Sequence, residues 1–264
     1  MKLKKLVLAI LMLTIILALT FGCAAQSSQQ RTLNLGFDAE FPPYGYMGDN
    51  GEYTGFDIDM AKALSERLNW ELKLIPINWD SKDMELESGT IDCIWNGFTI
   101  NGREEKYTWT DAYMDNSQVF VVRSNSDIVS FSDLNGKAVA VQTESSAQSA
   151  LEEEENATLL ASFSMLEKVG DYNTAFMELE SGAVDAIAMD VGVARFQMQG
   201  REDMFRILDD ALVAEKYGIG FLLGNTELRD IVQAELMKMV EDGTFAEISE
   251  NWFGYDVCIL GGAL

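Results

Sequence analysis

The chain has 264 residues, no histidine, three cysteines and a formal net charge of −24 at neutral pH. The missing imidazole removes the usual general base and the Ser-His and Cys-His nucleophile pairs, so most hydrolase chemistries fall away. Three cysteines without ligand spacing point away from a disulfide framework or zinc, no cofactor motif stands out, and so acidic a body repels nucleic-acid phosphates.

Lys2, Lys4 and Lys5 precede an apolar run from about Leu6 to Leu19, and Thr20-Phe21-Gly22-Cys23 follows. The run falls short of the roughly 20 residues a spanning helix needs, and its basic start and small-residue end read as a secretory signal over 1–22. Leu-Thr-Phe-Gly-Cys resembles a bacterial lipobox, in which the Cys is lipidated and becomes the first mature residue, although Thr20 stands at a position that is usually apolar. An ordinary cleaved signal with an incidental Cys23 is the other reading. The run AAQSSQQR that follows is small and polar, so 23–31 reads as lipidated Cys and tether. Losing the signal removes three lysines and takes the net charge to about −27.

In the body, Leu33 to Phe37 is an apolar strand running into Asp38-Ala39-Glu40-Phe41-Pro42-Pro43-Tyr44, whose prolines forbid helix. Gly55-Phe56-Asp57-Ile58-Asp59-Met60 starts a helix to about Asn69, with acidic residues in its first turn and Ile58, Ala61, Leu64 and Leu68 on one face. A strand over Leu72 to Ile75, a helix from Asn78-Trp79-Asp80 to about Ser88, and a strand over Ile91 to Trp95 follow. Strand, helix, strand, helix, strand predicts a parallel sheet.

Leu86 to Arg103, LESGTIDCIWNGFTINGR, is echoed by LESGAVDAIAMD at Leu179 to Asp190. Each copy reads as a helix end, a Ser-Gly stop, an Asp and an apolar strand, and two copies imply two similar sheets. Ligands of open α/β sheets sit beyond the carboxyl ends of the strands, which places Asn96-Gly97-Phe98-Thr99 and Asp190 in a cleft between two lobes. Gln118 to Arg123 is the first crossing, and Ala138 to Val141 opens lobe two. Thr143-Glu144-Ser145-Ser146 caps a helix to about Glu154, and another runs from about Tyr172 to Glu180 into the strand Val184 to Met189. Tyr217 to Leu222 is the return crossing. A helix over Thr226 to Val240 follows, then a Gly243 break and a helix ending at Asn251-Trp252-Phe253-Gly254. The expected organisation is lobe one at 32–117 plus 223–256, lobe two at 124–213, hinge crossings at 118–123 and 214–222, and a tail at 257–264.

Gly55 to Leu64, the Gly-Phe-Thr-Ile then Arg stretch, Val141-Gln142-Thr143-Glu144-Ser145-Ser146, Ala188-Met189-Asp190 and Trp252-Phe253-Gly254 occur in an order that resembles the extracellular solute-binding proteins of family 3, the polar amino-acid receptors of ABC importers. The resemblance covers about Thr32 to Asp256. It implies an α/β fold of the two-lobed, type II periplasmic-binding-protein-like kind, a hinge, and capture of a free L-amino acid in the cleft. It also implies ABC permease subunits as partners, a monomer, and an extracytoplasmic place held at the membrane by a lipid anchor.

By the same resemblance Arg103 takes the ligand carboxylate, with main-chain donors at Thr99, Ser145 and Ser146, and Asp190 takes the ammonium together with the Gly97 carbonyl. Phe41 and Trp79 sandwich the side chain, and Asp38 and Gln142 are polar edge groups. These assignments agree with what an amino acid needs, a guanidinium fork at one end and a carboxylate at the other. Two departures stand out. Only Ile100-Asn101-Gly102 separates Thr99 from Arg103, one residue fewer than usual, and Glu144 stands where relatives often carry Gly.

Two other functions fit the same scaffold. A dehydratase-like enzyme could use Glu40 or Glu144 without histidine, and a sensory module could present the ligand to a membrane receptor.

Overall fold

The alternation of strand and helix builds the expected parallel sheet at the amino-terminal side. In the structure, a computed structural model describing residues 30–262, β1 (Thr32–Phe37) passes through a small antiparallel sheet of β2 (Glu40–Phe41), β3 (Gly45–Met47) and β4 (Tyr53–Thr54) into helix α1 (Phe56–Arg67). The signal segment and Cys23 lie outside the described residues. β5 (Glu71–Pro76), a 3-10 turn at Trp79–Ser81, α2 (Lys82–Glu87) and β6 (Cys93–Thr99) follow, and β5 and β6 pair parallel on either side of β1. The predicted apolar face of α1 is buried at Ile58, Ala61 and Leu64, and Asp57 is buried beside it.

β6 runs four residues further than the sequence suggests, so Asn96 to Thr99 lie within the strand and not beyond its end. The reason is an antiparallel neighbour, which pairs Tyr217 with Thr99 and Gly218 with Phe98 and so satisfies the backbone there. That neighbour, with β7 (Tyr107–Trp109) and β8 (Met114–Arg123), forms the crossing region. β9 (Ala138–Gln142), α3 (Ser146–Glu152), α4 (Ala157–Ser162), β10 (Met165–Val169), α5 (Tyr172–Ser181), β11 (Ala186–Asp190) and α6 (Val191–Gln197) build the second lobe. β12 then runs unbroken from Phe205 to Leu222, and α7 (Thr226–Glu241) and α8 (Thr244–Phe253) return to pack on α1.

The main sheet has the order β10-β9-β11-β8-β12-β6-β1-β5, with β7 also on β12. β8 and β12 are antiparallel partners from Phe205 opposite Arg123 to Tyr217 opposite Met114, with register shifts on either side of Ala211. β8 and β12 are thus longer than the strand segments read from sequence. The chain end also packs, since Cys258 bridges Met114 and Val257, Cys258 and Leu260 are buried.

Each lobe has an apolar layer of its own, Ile94, Phe98 and Trp109 in the first and Phe120, Val139 and Leu151 in the second. A third and larger cluster joins Phe37, Tyr44 and Trp95 of the first to Tyr172, Met189 and Val193 of the second. Gly192 makes that contact possible, because a Cβ there would stand 2.2 Å from the Tyr44 hydroxyl. Among the described residues no helix is long and apolar enough to cross a membrane.

Candidate functional site

Eight of the residues singled out in the sequence line one narrow cavity: Phe41, Trp79, Asn96, Gly97, Gln142, Ser145, Ser146 and Asp190. It measures about 10 Å³, room for about one water. Anything larger enters only when the lobes part. Asp38 lines a roomier neighbouring cavity of about 600 Å³, which shares the Trp79 wall and carries the carboxylates of Glu40, Asp80, Glu85 and Asp171. Arg103 lines a third, together with Ser146, Lys82 and Glu215. Thr99 borders none of them.

Arg103 spans the lobes. It is 7% exposed, and its guanidinium lies over the Phe98 ring, 5.3 Å from the centroid. Nη1 donates to the Ser146 hydroxyl at 2.9 Å and, more loosely, to the Thr99 carbonyl at 3.4 Å; Nη2 donates to the Glu144 carbonyl at 3.2 Å. Among the described residues no carboxylate comes within ion-pair distance of it. The short loop Ile100-Asn101-Gly102 is made by a tight turn in which the Arg103 N–H donates to the Ile100 carbonyl at 2.8 Å. Lys82, a residue sequence reasoning passed over, is buried nearby with its ammonium on the Trp79 carbonyl at 3.3 Å. Burial, and then the Arg103 charge, pull its pKa down to about 8.

Across the cleft Asp190, 3% exposed, ends β11. Its Oδ1 accepts from Asn116 Nδ2 at 2.7 Å, from Gln118 Nε2 at 2.9 Å and from the Tyr217 hydroxyl. A second contact between the lobes runs from Gln142 Nε2 to Asp38 Oδ2 at 2.7 Å. Burial pushes the Asp38 carboxyl up, against the pull of the Glu40 N–H and of Gln142.

Gly97 is held from below. Its N–H donates to Asp57 Oδ2 at 2.5 Å, and the same carboxylate accepts from the Trp95 indole at 3.1 Å and from the Tyr113 hydroxyl at 2.9 Å. Its φ of +56° and the aromatic rings of Tyr44 and Tyr217, 3.1 Å from where a Cβ would stand, both require glycine. Burial pushes the Asp57 carboxyl up to about 7 despite these donors. Asp57 thus does more than favour the start of α1. Its full burial marks it in the structure, whereas in sequence it looks like its half-buried neighbour Asp59.

Glu144 resolves one departure noted in the sequence. Its side chain is exposed and only its backbone meets Arg103, but its φ is +59°, the left-handed region where glycine costs nothing. Relieving that strain outweighs the added freedom of the unfolded chain. Glu144→Gly is therefore expected to stabilise the protein by about 0.5–1 kcal/mol in denaturant unfolding. A loss of stability would show that the Glu144 side chain contributes more than the strain removes. Ser145 caps α3, its hydroxyl accepting from the Gln148 N–H at 3.2 Å.

Sequence reasoning also missed Asn116, Gln118 and Glu215. Asn116 and Gln118 alternate along β8, as Glu215 and Tyr217 do along β12, so a polar stripe of period two was the available signal. Among the described residues no group of carboxylates or thiols is arranged to hold a metal ion.

Comparison with known proteins bears on the fold and the family. The L-cystine-binding protein TcyJ of Escherichia coli strain K12 is 28% identical over 239 residues, covering 89% of this chain and 88% of its own. The ABC transporter arginine-binding protein 1 of the same strain is 27% identical, covering 95% and 99%. A Streptococcus pneumoniae ABC uptake transporter substrate-binding protein, solved with bound histidine, superposes with a TM-score of 0.82 at 31% identity, covering 86% of this chain and 94% of the other. Residues 33–255 match the family model, and the chain belongs to the bacterial extracellular solute-binding proteins, family 3.

Proposed function

We propose that this chain captures a free polar L-amino acid outside the cytoplasm by closure of its two lobes, and delivers it to the permease of an ABC importer. One observation carries the reading. Among the described residues, a buried guanidinium with no carboxylate in ion-pair distance faces the cleft at Arg103, and a buried carboxylate with no cationic partner faces it at Asp190. A zwitterion satisfies both at once. Its carboxylate meets Arg103 beside Ser145 and Ser146, its ammonium meets Asp190 and the Gly97 carbonyl, and Phe41 and Trp79 flank the side chain. The acidic cavity next to Trp79 favours a cationic or neutral side chain over an acidic one.

Closure follows from differential affinity. Ligand bridging Arg103 of one lobe and Asp190 of the other stabilises the closed form alone and shifts the hinge toward it. The lobes divide at β8 and β12. Cys23 carries the lipid that holds the monomeric body at the membrane, with 24–31 as tether. The protein is a receptor and not an enzyme: the exposed side chain of Glu144 lies outside the inner cavity, and so does Glu40, on the rim.

The test is thermal unfolding of the soluble chain from Ala24 onward, stripped of co-purified ligand by unfolding and refolding, against each common amino acid. Binding to the native state alone at a thousandfold excess over Kd adds about 4 kcal/mol, a shift of about 10 °C for a body of this size. No shift with any amino acid overturns the reading.

A further inference from the structure

The hinge carries a buried cluster that the roles above leave unused. Glu215 on β12 is 5% exposed, and its Oε1 accepts from the Thr99 hydroxyl at 2.9 Å and from Asn116 Nδ2 and Gln118 Nε2, both at 2.6 Å. The same two amide nitrogens donate to Asp190 Oδ1. Two carboxylates therefore crowd one pair of donors. The amides have no further proton to give, and their own oxygens, Asn116 Oδ1 and Gln118 Oε1, are buried without partners, as are the hydroxyls of Tyr44 and Tyr172.

The groups bonded to the pair or packed against it are neutral, Thr99 from β6, Asn116 and Gln118 from β8, Tyr217 from β12, Tyr44 from the loop before β3 and Tyr172 from the start of α5, while the charged groups Arg103, Lys82, Lys106 and Glu144 share a cavity with Glu215. No lysine or arginine among the described residues lies within ion-pair distance of either carboxylate. Two like charges in such a place require either a proton or a cation.

We propose that Glu215 is a positioning residue of the ammonium site, and that Asp190, crowded by the Glu215 carboxylate, exchanges a bound proton for the ligand's ammonium. This rests on the amino-acid reading above. In the ligand-free protein one proton sits on Asp190. The ligand enters with its ammonium already charged, Asp190 becomes a carboxylate, and the proton leaves to the buffer. Glu215 thereby makes the site doubly anionic and, through Thr99, ties it to the strand that holds Gly97. Burial, and after it the Glu215 charge, push Asp190 up to about 7, which puts the exchange in the neutral range. Below that pH binding must expel the proton and affinity rises with pH; above it the proton is already gone and affinity levels off.

Calorimetry of the mature protein tests this, with L-arginine first because its side chain does not titrate in this range, and otherwise with whichever amino acid stabilises most in the thermal screen. At pH 6, two buffers of different ionisation enthalpy are expected to report release of close to one proton, and Kd is expected to fall about tenfold from pH 5 to pH 6. Glu215→Gln keeps an acceptor oxygen for Thr99 and the amides but removes the charge, and is expected to bind more weakly with clearly less proton released and a shallower pH profile, burial of Asp190 remaining. Equal enthalpies in the two buffers for the unaltered protein overturn the proposal, as does full proton release by the variant. The unaltered protein decides alone if the variant does not fold. Binding without proton release refutes the exchange and leaves the receptor function standing, whereas no binding at all refutes the function.

Discussion

Arg103→Ala is expected to weaken amino-acid binding by about a hundredfold to a thousandfold, because truncating one partner of a buried, hydrogen-bonded charge pair costs about 3–4 kcal/mol. Two losses combine. The ligand carboxylate loses its only guanidinium, and the closed form loses the bonds from Arg103 to the Ser146 hydroxyl and the Glu144 carbonyl, which join the lobes. The stripped protein is expected to unfold within about 1 kcal/mol of the unaltered one, since the core clusters do not include Arg103. Titration calorimetry alongside denaturant unfolding separates the two effects. A loss of affinity under fivefold would remove Arg103 from the site.

Asp57→Ala is expected to act on stability instead. Three buried donors, the Gly97 N–H, the Trp95 indole and the Tyr113 hydroxyl, would lose their acceptor together. Unsatisfied buried donors cost about 1–3 kcal/mol each, offset in part by removing an acid that burial disfavours, for a net loss of about 3 kcal/mol. The melting temperature of the stripped protein should fall by about 6–12 °C. Any fall in affinity beyond that would come through Gly97, whose left-handed backbone Asp57 holds from below. An unchanged melting temperature would mean that the three donors find other partners.

Much of this was readable in the chain because it is local. The alternation around Leu72 to Ile75, the apolar faces of α1 and α7 and the glycine after each Leu-Glu-Ser depend on neighbours three or four residues away, and they fold as periodicity predicts. What escaped depends on distant strands. β6 continues through Thr99 because β12 covers it from more than a hundred residues on, and β12 itself is one strand although Asp209, Asp210 and Lys216 interrupt its apolar pattern. Asp57 and Glu215 look like surface acids in sequence, and only the tertiary fold buries them. Eight of the residues read from the sequence line one cavity, but Asp57, Asn116, Gln118 and Glu215, which lie around it, carry no motif of their own.

The paired strands β8 and β12 also impose an order in time. Residues close to a pivot travel little when a door swings, and those far from it travel far. Asn116, Gln118 and Glu215 sit on the two crossing strands themselves, and Asp190 is laddered directly to Gln118. Arg103 and Ser146 belong to different leaves, Arg103 following a loop whose Ile100 N–H donates to the Lys216 carbonyl of β12, and Ser146 opening α3. Opening therefore leaves the anionic corner largely assembled and pulls the guanidinium away from its serine. On the proposed reading, an arriving amino acid meets a standing foothold for its ammonium first, and the latch on its carboxylate forms last.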